Sequence, residues 1–176
     1  MDFHISSICR SSYYHLRNLA LARKYLPEEA IRSLVHAAIA TRIDYCNSLL
    51  YGISKTHLQK LQRVQNSAAR IIKCIKKTEH ISPILAELLW LPVSHRIKYK
   101  LLLFTFKAVH ETVPQYLLDL IHPYVPRRNL RSSDAYLLET PHSHLVTCGD
   151  RSFSVAAPIL WNTLPYNIRS CDSASV

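Results

Sequence analysis

The chain has 176 residues, enough for one domain, or for one domain and a small annex, that buries roughly two thirds of its unfolded surface. Hydrophobic residues make up 48% of the chain and only two residues are glycine, which excludes disorder and a strand-rich fold, because hairpins and tight turns need residues that reach positive φ. The formal net charge of +10 predicts a polyanionic partner, either nucleic acid or an anionic membrane surface, with a solvated basic face as the alternative.

Two helices are predicted at the start of the chain. Apolar residues at helical intervals predict the first helix over about residues 3–25. Pro27 and the two glutamates after it predict the start of the second, because proline suits the first turn and acids favour the N-terminal dipole. The apolar spacing of this helix continues to Leu50, and Gly52 supplies a left-handed stop.

The third predicted helix is amphipathic and basic; it is capped by Ser54 and runs to about Lys77. At about 100° per residue, its apolar side chains occupy one arc and its basic side chains the opposite arc. No carboxylate occurs between Asp44 and Glu79, so the basic face lacks the acidic i,i+4 partners that a merely solubilising helix often carries. Residues 1–77 carry 13 lysines and arginines against four acids, and the rest of the chain nine against eight.

Proline breaks separate the helices predicted in the middle of the chain. Ser82 opens a short helix that Trp90–Pro92 breaks, and a longer amphipathic helix begins at Val93 or Ser94. Pro114 starts another short helix.

The character of the sequence changes after His122–Pro126, where two prolines mark a boundary or an extended connector. Residues 136–140 and 144–147 are β-branched or aromatic and are bounded by turn formers, which predicts extended segments in a small hairpin-like annex. A short helix over residues 153–160 is expected to follow.

The predicted fold is mainly α. It is an irregular multi-helix bundle with a basic face over residues 1–126, with a less regular, extended or β-hairpin-like annex packed on it over residues 127–176. Trp90 and Trp161 have apolar neighbours and are predicted to anchor the core. No apolar run is long enough for a signal peptide or a membrane span. The protein is therefore expected to be soluble and intracellular, in the nucleus or the cytoplasm.

Cysteine and histidine patterns favour structural roles over chemistry. The five cysteines include no CxxC pair, which predicts reduced thiols that mostly fill small spaces in the core. Cys46 lies on a predicted helix without a spaced histidine as its base, so a packing thiol is favoured over a nucleophile. His142, His144 and Cys148 form the tightest cluster, but the fourth ligand that structural zinc needs is missing. No metal and no cofactor are predicted.

The densest basic patch lies on the third helix and just beyond it. Lysine and arginine neutralise phosphate charge and make binding steeply salt-dependent. Aromatic side chains could stack on unpaired bases if they lie nearby, and the candidates are Tyr13, Tyr14, Tyr25 and His57. A solvated helix face is the alternative interpretation for any single basic residue. The predicted nucleic-acid-binding residues are Lys60, Arg63, Arg70, Lys73, Lys76 and Lys77.

Several short motifs lie in order across almost the whole chain. The first half contains Arg42–Gly52 (RIDYCNSLLYG), Leu61–Asn66 (LQRVQN) and Trp90–Val93 (WLPV) with Arg96 and Ile97. The second half contains Leu130–Ser133 (LRSS), Gly149–Phe153 (GDRSF) and Leu160–Pro165 (LWNTLP) with Ile168 and Arg169. In this order and spacing, the motifs resemble the region downstream of the polymerase core in LINE-type, Jockey-like non-LTR retrotransposon reverse transcriptases.

The resemblance implies a parent enzyme that copies RNA into DNA at a nicked chromosomal target, using an upstream endonuclease and a palm with catalytic aspartates. This chain has no Asp-Asp pair, and its six aspartates are scattered, whereas two-metal nucleotidyl transfer needs clustered carboxylates. We therefore expect no catalytic residues and no polymerase activity in this chain alone. Met1 is expected to be an internal start downstream of the palm, with both ends truncated relative to the family.

The resulting hypothesis is a non-catalytic fragment of an RNA-directed DNA polymerase that binds or positions RNA or DNA. Binding is expected to tolerate sequence, because nothing resembles a base-reading finger or a helix-turn-helix. Two alternatives stay open: a helical scaffold that docks on the missing upstream polymerase domains, and a decayed insertion without a selected role. No membrane partner is expected, and the resemblance implies a nuclear target.

Overall fold

The computed structural model describes residues 2–126, 136–143, 145 and 148–171. Over these residues the protein is mainly helical, which confirms the predicted fold class, and the one strand-like pairing is an isolated antiparallel bridge between Pro123 and Leu138. The chain divides into two compact units, Met1–Ile97 and Lys98–Val176. The sequence-predicted division after residue 126 falls inside the second unit and stays a prediction.

The helices of the first unit begin where the sequence predicts them. Pro27 precedes the second helix, and the Ser54 side chain accepts a hydrogen bond from the backbone N–H of His57 at the start of the basic helix. In chain order they are α1 (Asp2–Ala22), a 3-10 turn (Arg23–Tyr25), α2 (Glu28–Val35), a π-helical turn (His36–Ala40), α3 (Thr41–Asp44), a 3-10 turn (Asn47–Leu50), α4 (Lys55–Lys73) and α5 (Ser82–Glu87). Helix α6 (Val93–Val109) contains the point of division.

Helices α1 and α4 lie side by side and run in the same direction. The Asp2 carboxylate near the start of α1 is 3.2 Å from His57 Nε2 near the start of α4. At the other end, the Arg23 guanidinium donates to the carbonyls of Ile71 and Ile72 in the last turn of α4, at 3.2 and 3.3 Å. The buried side chains of α4 lie on the apolar face that the sequence predicts, which confirms that face. The core residues from the two helices are Ile5, Ile8, Leu16, Leu61, Val64, Ala68 and Ile72.

The second helix ends earlier than predicted. The prediction of a continuous helix to Leu50 is wrong, because the helix stops at Asp44 and Cys46 adopts a left-handed conformation with φ 50°. A 3-10 turn then brings the buried side chains of Asn47 and Leu50 inward, and the Asn47 amide donates to Asp44 at 3.4 Å. Gly52 does have the expected positive φ, 71°.

Three of the sequence motifs meet at the loop between α5 and α6. The Leu91 carbonyl accepts hydrogen bonds from Gln65 Nε2 at 2.8 Å and from Arg96 Nε at 3.1 Å. Gln62 Oε1 accepts from the backbone N–H of Val93 at 2.9 Å. Arg96 also donates to Asp44 Oδ2 at 2.6 Å. The motif side chains thus hold α3, α4 and the loop together, which is a structural role.

Three helices end in the same left-handed turn without a glycine. In this Schellman motif, the backbone N–H of the residue after the left-handed residue donates a hydrogen bond to the carbonyl five residues earlier in the chain. It is formed by Ile75 N–H to Arg70 O after α4, Trp90 N–H to Leu85 O after α5, and Thr112 N–H to Lys107 O after α6. The residues at positive φ are Cys74, Leu89 and Glu111. The predicted extension of α4 to Lys77 is therefore wrong.

Glycine at two of these turns is expected to stabilise the protein. A side chain at left-handed φ and ψ costs about 1–2 kcal/mol, partly offset by the entropy that glycine adds to the unfolded chain. Cys74→Gly and Leu89→Gly should each raise the free energy of unfolding by about 0.5–1 kcal/mol in urea titrations. The Leu89 side chain is 90% exposed, so Leu89→Ala, which keeps Cβ, is the matched control. A stabilisation by alanine equal to that by glycine would contradict the backbone explanation.

The second unit is built around Trp161. Its helices are the rest of α6, α7 (Gln115–Leu118), α8 (Phe153–Asn162) and α9 (Tyr166–Arg169). Trp161 is 1% exposed and its Nε1 donates to the Tyr136 carbonyl at 2.8 Å. The Asn162 amide bonds to both the N–H and the carbonyl of Leu138, each at 2.9 Å. Trp161 is thus a core anchor, as predicted, and Trp90 is partly buried against the core of the first unit.

The first predicted extended segment, residues 136–140, pairs with residues 122–124, which precede the predicted annex. Tyr124 N–H donates to the Leu137 carbonyl and Glu139 N–H to the His122 carbonyl, at 2.9 and 2.8 Å, around the Pro123–Leu138 bridge. Most of the second predicted extended segment, residues 144–147, lies outside the described residues.

The cysteines are free thiols, but the prediction that most of them fill the core is wrong. Cys46, Cys74, Cys148 and Cys171 are exposed, and Cys9 is half-buried. Two of the exposed thiols, Cys46 and Cys74, occupy the left-handed positions that end helices, where a side chain points to solvent. Burial raises the pKa of the Cys9 thiol, which favours its neutral form.

Candidate nucleic-acid interface

The six predicted contact residues have different surroundings. Lys60 and Arg63 are exposed on α4, and Lys76 and Lys77 are exposed in the turn that follows it. None of these four forms an ion pair within the part of the chain that the structure describes. They are therefore available to phosphate, whereas the other two residues are engaged inside the protein.

Lys73 is paired with two carboxylates from neighbouring helices. Its Nζ is 2.7 Å from Glu28 Oε1 at the start of α2 and 2.7 Å from Glu87 Oε1 at the end of α5, and its side chain is 17% exposed. The hydrogen bond from Lys73 lowers the pKa of Glu28, and the hydrogen bonds to Glu28 and Glu87 raise the pKa of Lys73. Lys73 thus joins α4 to two other helices.

Arg70 holds the turn after α4. Its guanidinium donates to the carbonyl of Lys76 and, at 2.8 Å, to the carbonyl of Glu79. The Glu79 carboxylate in turn accepts from the backbone N–H of Lys76 at 3.1 Å. Arg70 therefore holds the backbone of the turn by internal hydrogen bonds. The side chains of Lys76 and Lys77 in this turn stay exposed to solvent.

A groove beside α1 and α4 is lined by two of the four available cations and by an aromatic ring. Tyr13 of α1 lines it together with Arg63 of α4 and Lys77 of the following turn. The Tyr13 side chain is 45% exposed. The remaining lining residues are Asn66, Ser67, Arg70, Ile71 and Ile75.

The other sequence-proposed aromatic residues lie apart from this lining. Tyr14 packs edge-on against His15 at 5.5 Å between ring centroids, and Lys24 covers the Tyr25 ring at 4.7 Å. His57 interacts with Ser54 and Asp2. Of the four proposed stacking residues, Tyr13 is thus the one that the described groove includes.

The groove could be recognised only partly from the sequence. The sequence predicts the basic helix. The contribution of Tyr13 depends on the parallel packing of α1 against α4. The ion pairs of Lys73 depend on Glu28 and Glu87 from other helices. Neither arrangement leaves a signal in local sequence spacing.

A chain of contacts resembling a catalytic triad has a simpler explanation. Ser54 Oγ is 2.7 Å from His57 Nδ1, and Asp2 lies on the other ring nitrogen. However, Ser54 caps α4 and the Asp2 carboxylate is 81% exposed, so the arrangement serves the helix terminus rather than an enclosed reaction site.

Within the part of the chain that the structure describes, no group of three or more His, Cys, Asp and Glu side chains could hold a metal ion. His144, from the predicted tightest cluster, lies outside the described residues. Of the helices that the structure describes, none combines the length and the apolarity that crossing a bilayer requires.

Comparisons with known proteins place no relative beside this chain. No protein-family model matches it, and no curated protein or solved structure does so.

Proposed function

We propose that this protein is a non-catalytic, nucleic-acid-positioning module from the C-terminal region of a non-LTR retrotransposon reverse transcriptase. The motif resemblance supports the proposed family, and the scattered aspartates support the absence of polymerase activity in this chain alone. The proposed ligand is RNA or DNA, bound with little regard to sequence. The proposed location is intracellular, with a nuclear site of action.

One observation carries the proposal: Arg63, Lys77 and Tyr13 line the same groove. Exposed cations track a phosphate backbone, and an aromatic ring among them offers a stacking surface, which together are typical of sequence-tolerant nucleic-acid binding. Lys60, one turn before Arg63 on α4, and Lys76, directly before Lys77, are also exposed and add to the positive charge of this region. The mechanism is electrostatic positioning.

Charge reversal at Arg63 and Lys77 tests the proposal. At about 100 mM salt, the variant with both residues changed to glutamate should bind on the order of 10- to 100-fold more weakly, because two phosphate contacts are replaced by repulsion. The salt dependence of its affinity should also become less steep. Fluorescence anisotropy with labelled single-stranded RNA and duplex DNA, at about 50 and 200 mM salt, measures both effects. Arg70 and Lys73 are left unchanged, because their internal bonds would confound the result with misfolding.

The matched control reverses two lysines in the second unit. Lys98 and Lys107 are exposed on α6, so the variant with both residues changed to glutamate has the same net charge as the groove variant. Its affinity should stay within about threefold of the unaltered protein, because neither lysine lines the groove. Equal losses in the two variants would contradict the groove assignment, and the absence of any binding by the folded protein would contradict the function.

A second function is a helical scaffold that docks on the upstream polymerase domains of the parent protein. Phe3, which is 90% exposed, and Leu21 and Leu49, which are more than half exposed, are candidate contacts, and docking through them requires a contiguous apolar patch. Size-exclusion chromatography with and without those domains distinguishes the two functions, because a scaffold self-associates alone and forms a complex when the domains are added.

A further inference from the structure

The groove between α1 and α4 contains chemistry that phosphate binding does not need. Ile71 and Ile75 contribute half-buried apolar surface, and Tyr13 contributes a ring. A phosphate backbone is satisfied by cations and hydrogen-bond donors alone. An apolar and aromatic lining beside those cations therefore indicates that a flat, apolar group enters the groove together with an anion.

Two polar side chains in the lining have bonding capacity to spare. Asn66 Oδ1 accepts from Gln62 at 2.8 Å, and within the described structure no bond occupies the two donors of its Nδ2. Ser67 Oγ donates to the Arg63 carbonyl at 2.8 Å and keeps its lone pairs as acceptors. The lining thus contains spare donors and acceptors for the polar edge of a bound ring.

We infer that this groove binds an unpaired nucleobase, stacked on Tyr13, while Arg63 and Lys77 hold the adjoining phosphates. The inference rests on the proposed function and narrows its ligand to single-stranded nucleic acid. In a duplex the bases are stacked on one another and paired, so Tyr13 and the two isoleucines would have no partner. RNA and single-stranded DNA share the required chemistry.

The charges of the lining favour this ligand over an apolar protein segment. Arg63, Arg70 and Lys77 are cationic and the lining contains no carboxylate. A partner must therefore supply negative charge within a few ångströms of a flat apolar group. A nucleotide combines the two features in one residue, whereas an acidic peptide places them on separate side chains.

The test compares oligonucleotides that differ only in their bases. Labelled single strands of about 12 nucleotides, as RNA and as DNA, are titrated against the full chain beside a matched strand with abasic residues at its centre. The unaltered protein should prefer the strand with bases by roughly tenfold or more, because stacking on an aromatic side chain adds to the phosphate contacts. Tyr13→Ala should remove that preference and leave the salt dependence unchanged.

Two further variants separate stacking from misfolding. Tyr13→Phe keeps the ring and should keep the preference, and Tyr14→Ala removes the neighbouring exposed ring outside the lining and should keep it as well. Thermal unfolding followed by circular dichroism confirms that each variant folds.

Some experimental results would overturn the base-binding inference alone, and others would also overturn the proposed function. Equal affinity for the abasic and the complete strand, with a steep salt dependence, would overturn the base site and leave nucleic-acid binding intact. Polyglutamate of the same charge binding as tightly as the oligonucleotide would assign the groove to an acidic protein segment and overturn the inference. A folded protein that binds no strand would overturn both proposals.

Discussion

Replacing Trp161 with alanine is expected to lower the free energy of unfolding by about 3–5 kcal/mol. The indole is almost fully buried and its N–H bonds to the Tyr136 carbonyl at 2.8 Å. Truncation therefore removes buried apolar surface, leaves a cavity and removes the donor to a backbone carbonyl. Urea unfolding followed by far-ultraviolet circular dichroism measures the change.

Trp161→Phe separates the ring from its hydrogen bond. Phenylalanine retains part of the buried volume but no donor, so its loss should lie well below that of alanine. The chain has only two tryptophans, and Trp90 lies in the first unit. Trp90 fluorescence in Trp161→Ala therefore reports the first unit alone. A loss below about 1 kcal/mol for alanine would contradict the anchoring role of Trp161.

Replacing Arg96 with alanine should cost about 2–3 kcal/mol, because its guanidinium joins three parts of the first unit. It donates to Asp44 at the end of α3 and to the Leu91 carbonyl before α6, and it lies 5.9 Å from the Trp90 ring centroid. Its side chain is 19% exposed, so part of the electrostatic contribution is screened by solvent. Arg96→Lys should recover less than half of the loss, because an ammonium cannot reproduce the two directed bonds of the guanidinium fork.

A double-mutant cycle with Asp44→Asn tests the Arg96 pairing directly. If the carboxylate and the guanidinium stabilise each other, the two substitutions together should cost less than the sum of their separate effects. Lys98→Ala, two positions further along α6 at an exposed site, should change stability by no more than about 0.5 kcal/mol. Full additivity in the cycle would show that Arg96 acts without Asp44.

The motif residues that prompted the family resemblance hold loops in place in both units. In the first unit Gln62, Gln65 and Arg96 fix the segment around Leu91. In the second, Trp161 and Asn162 bond to the backbone of Tyr136 and Leu138. The sequence showed that these residues formed a pattern, but the pattern alone did not distinguish a structural network from a ligand site.

The candidate interface illustrates the same limit in electrostatic terms. The sequence correctly placed the basic side chains of α4 opposite its buried face, since that follows from 3.6 residues per turn. It treated Lys73 as equivalent to Arg63, because no acid lies within a helical turn of either residue. The structure engages Lys73 with Glu28 and Glu87 from α2 and α5 and leaves Arg63 exposed.

The sequence by itself determined the helical class and where the helices begin, because a cap such as Ser54 or a preceding residue such as Pro27 acts on backbone groups within one turn. Tertiary structure decided where the helices end. Two helices end at Asp44 and Lys73 although the apolar periodicity of the sequence continues beyond these residues. No glycine marks either end, so nothing in the sequence indicates where these helices stop. Tertiary structure also decided which cations remain available and which aromatic ring joins them, because Tyr13 and Arg63 become neighbours only when α1 packs against α4.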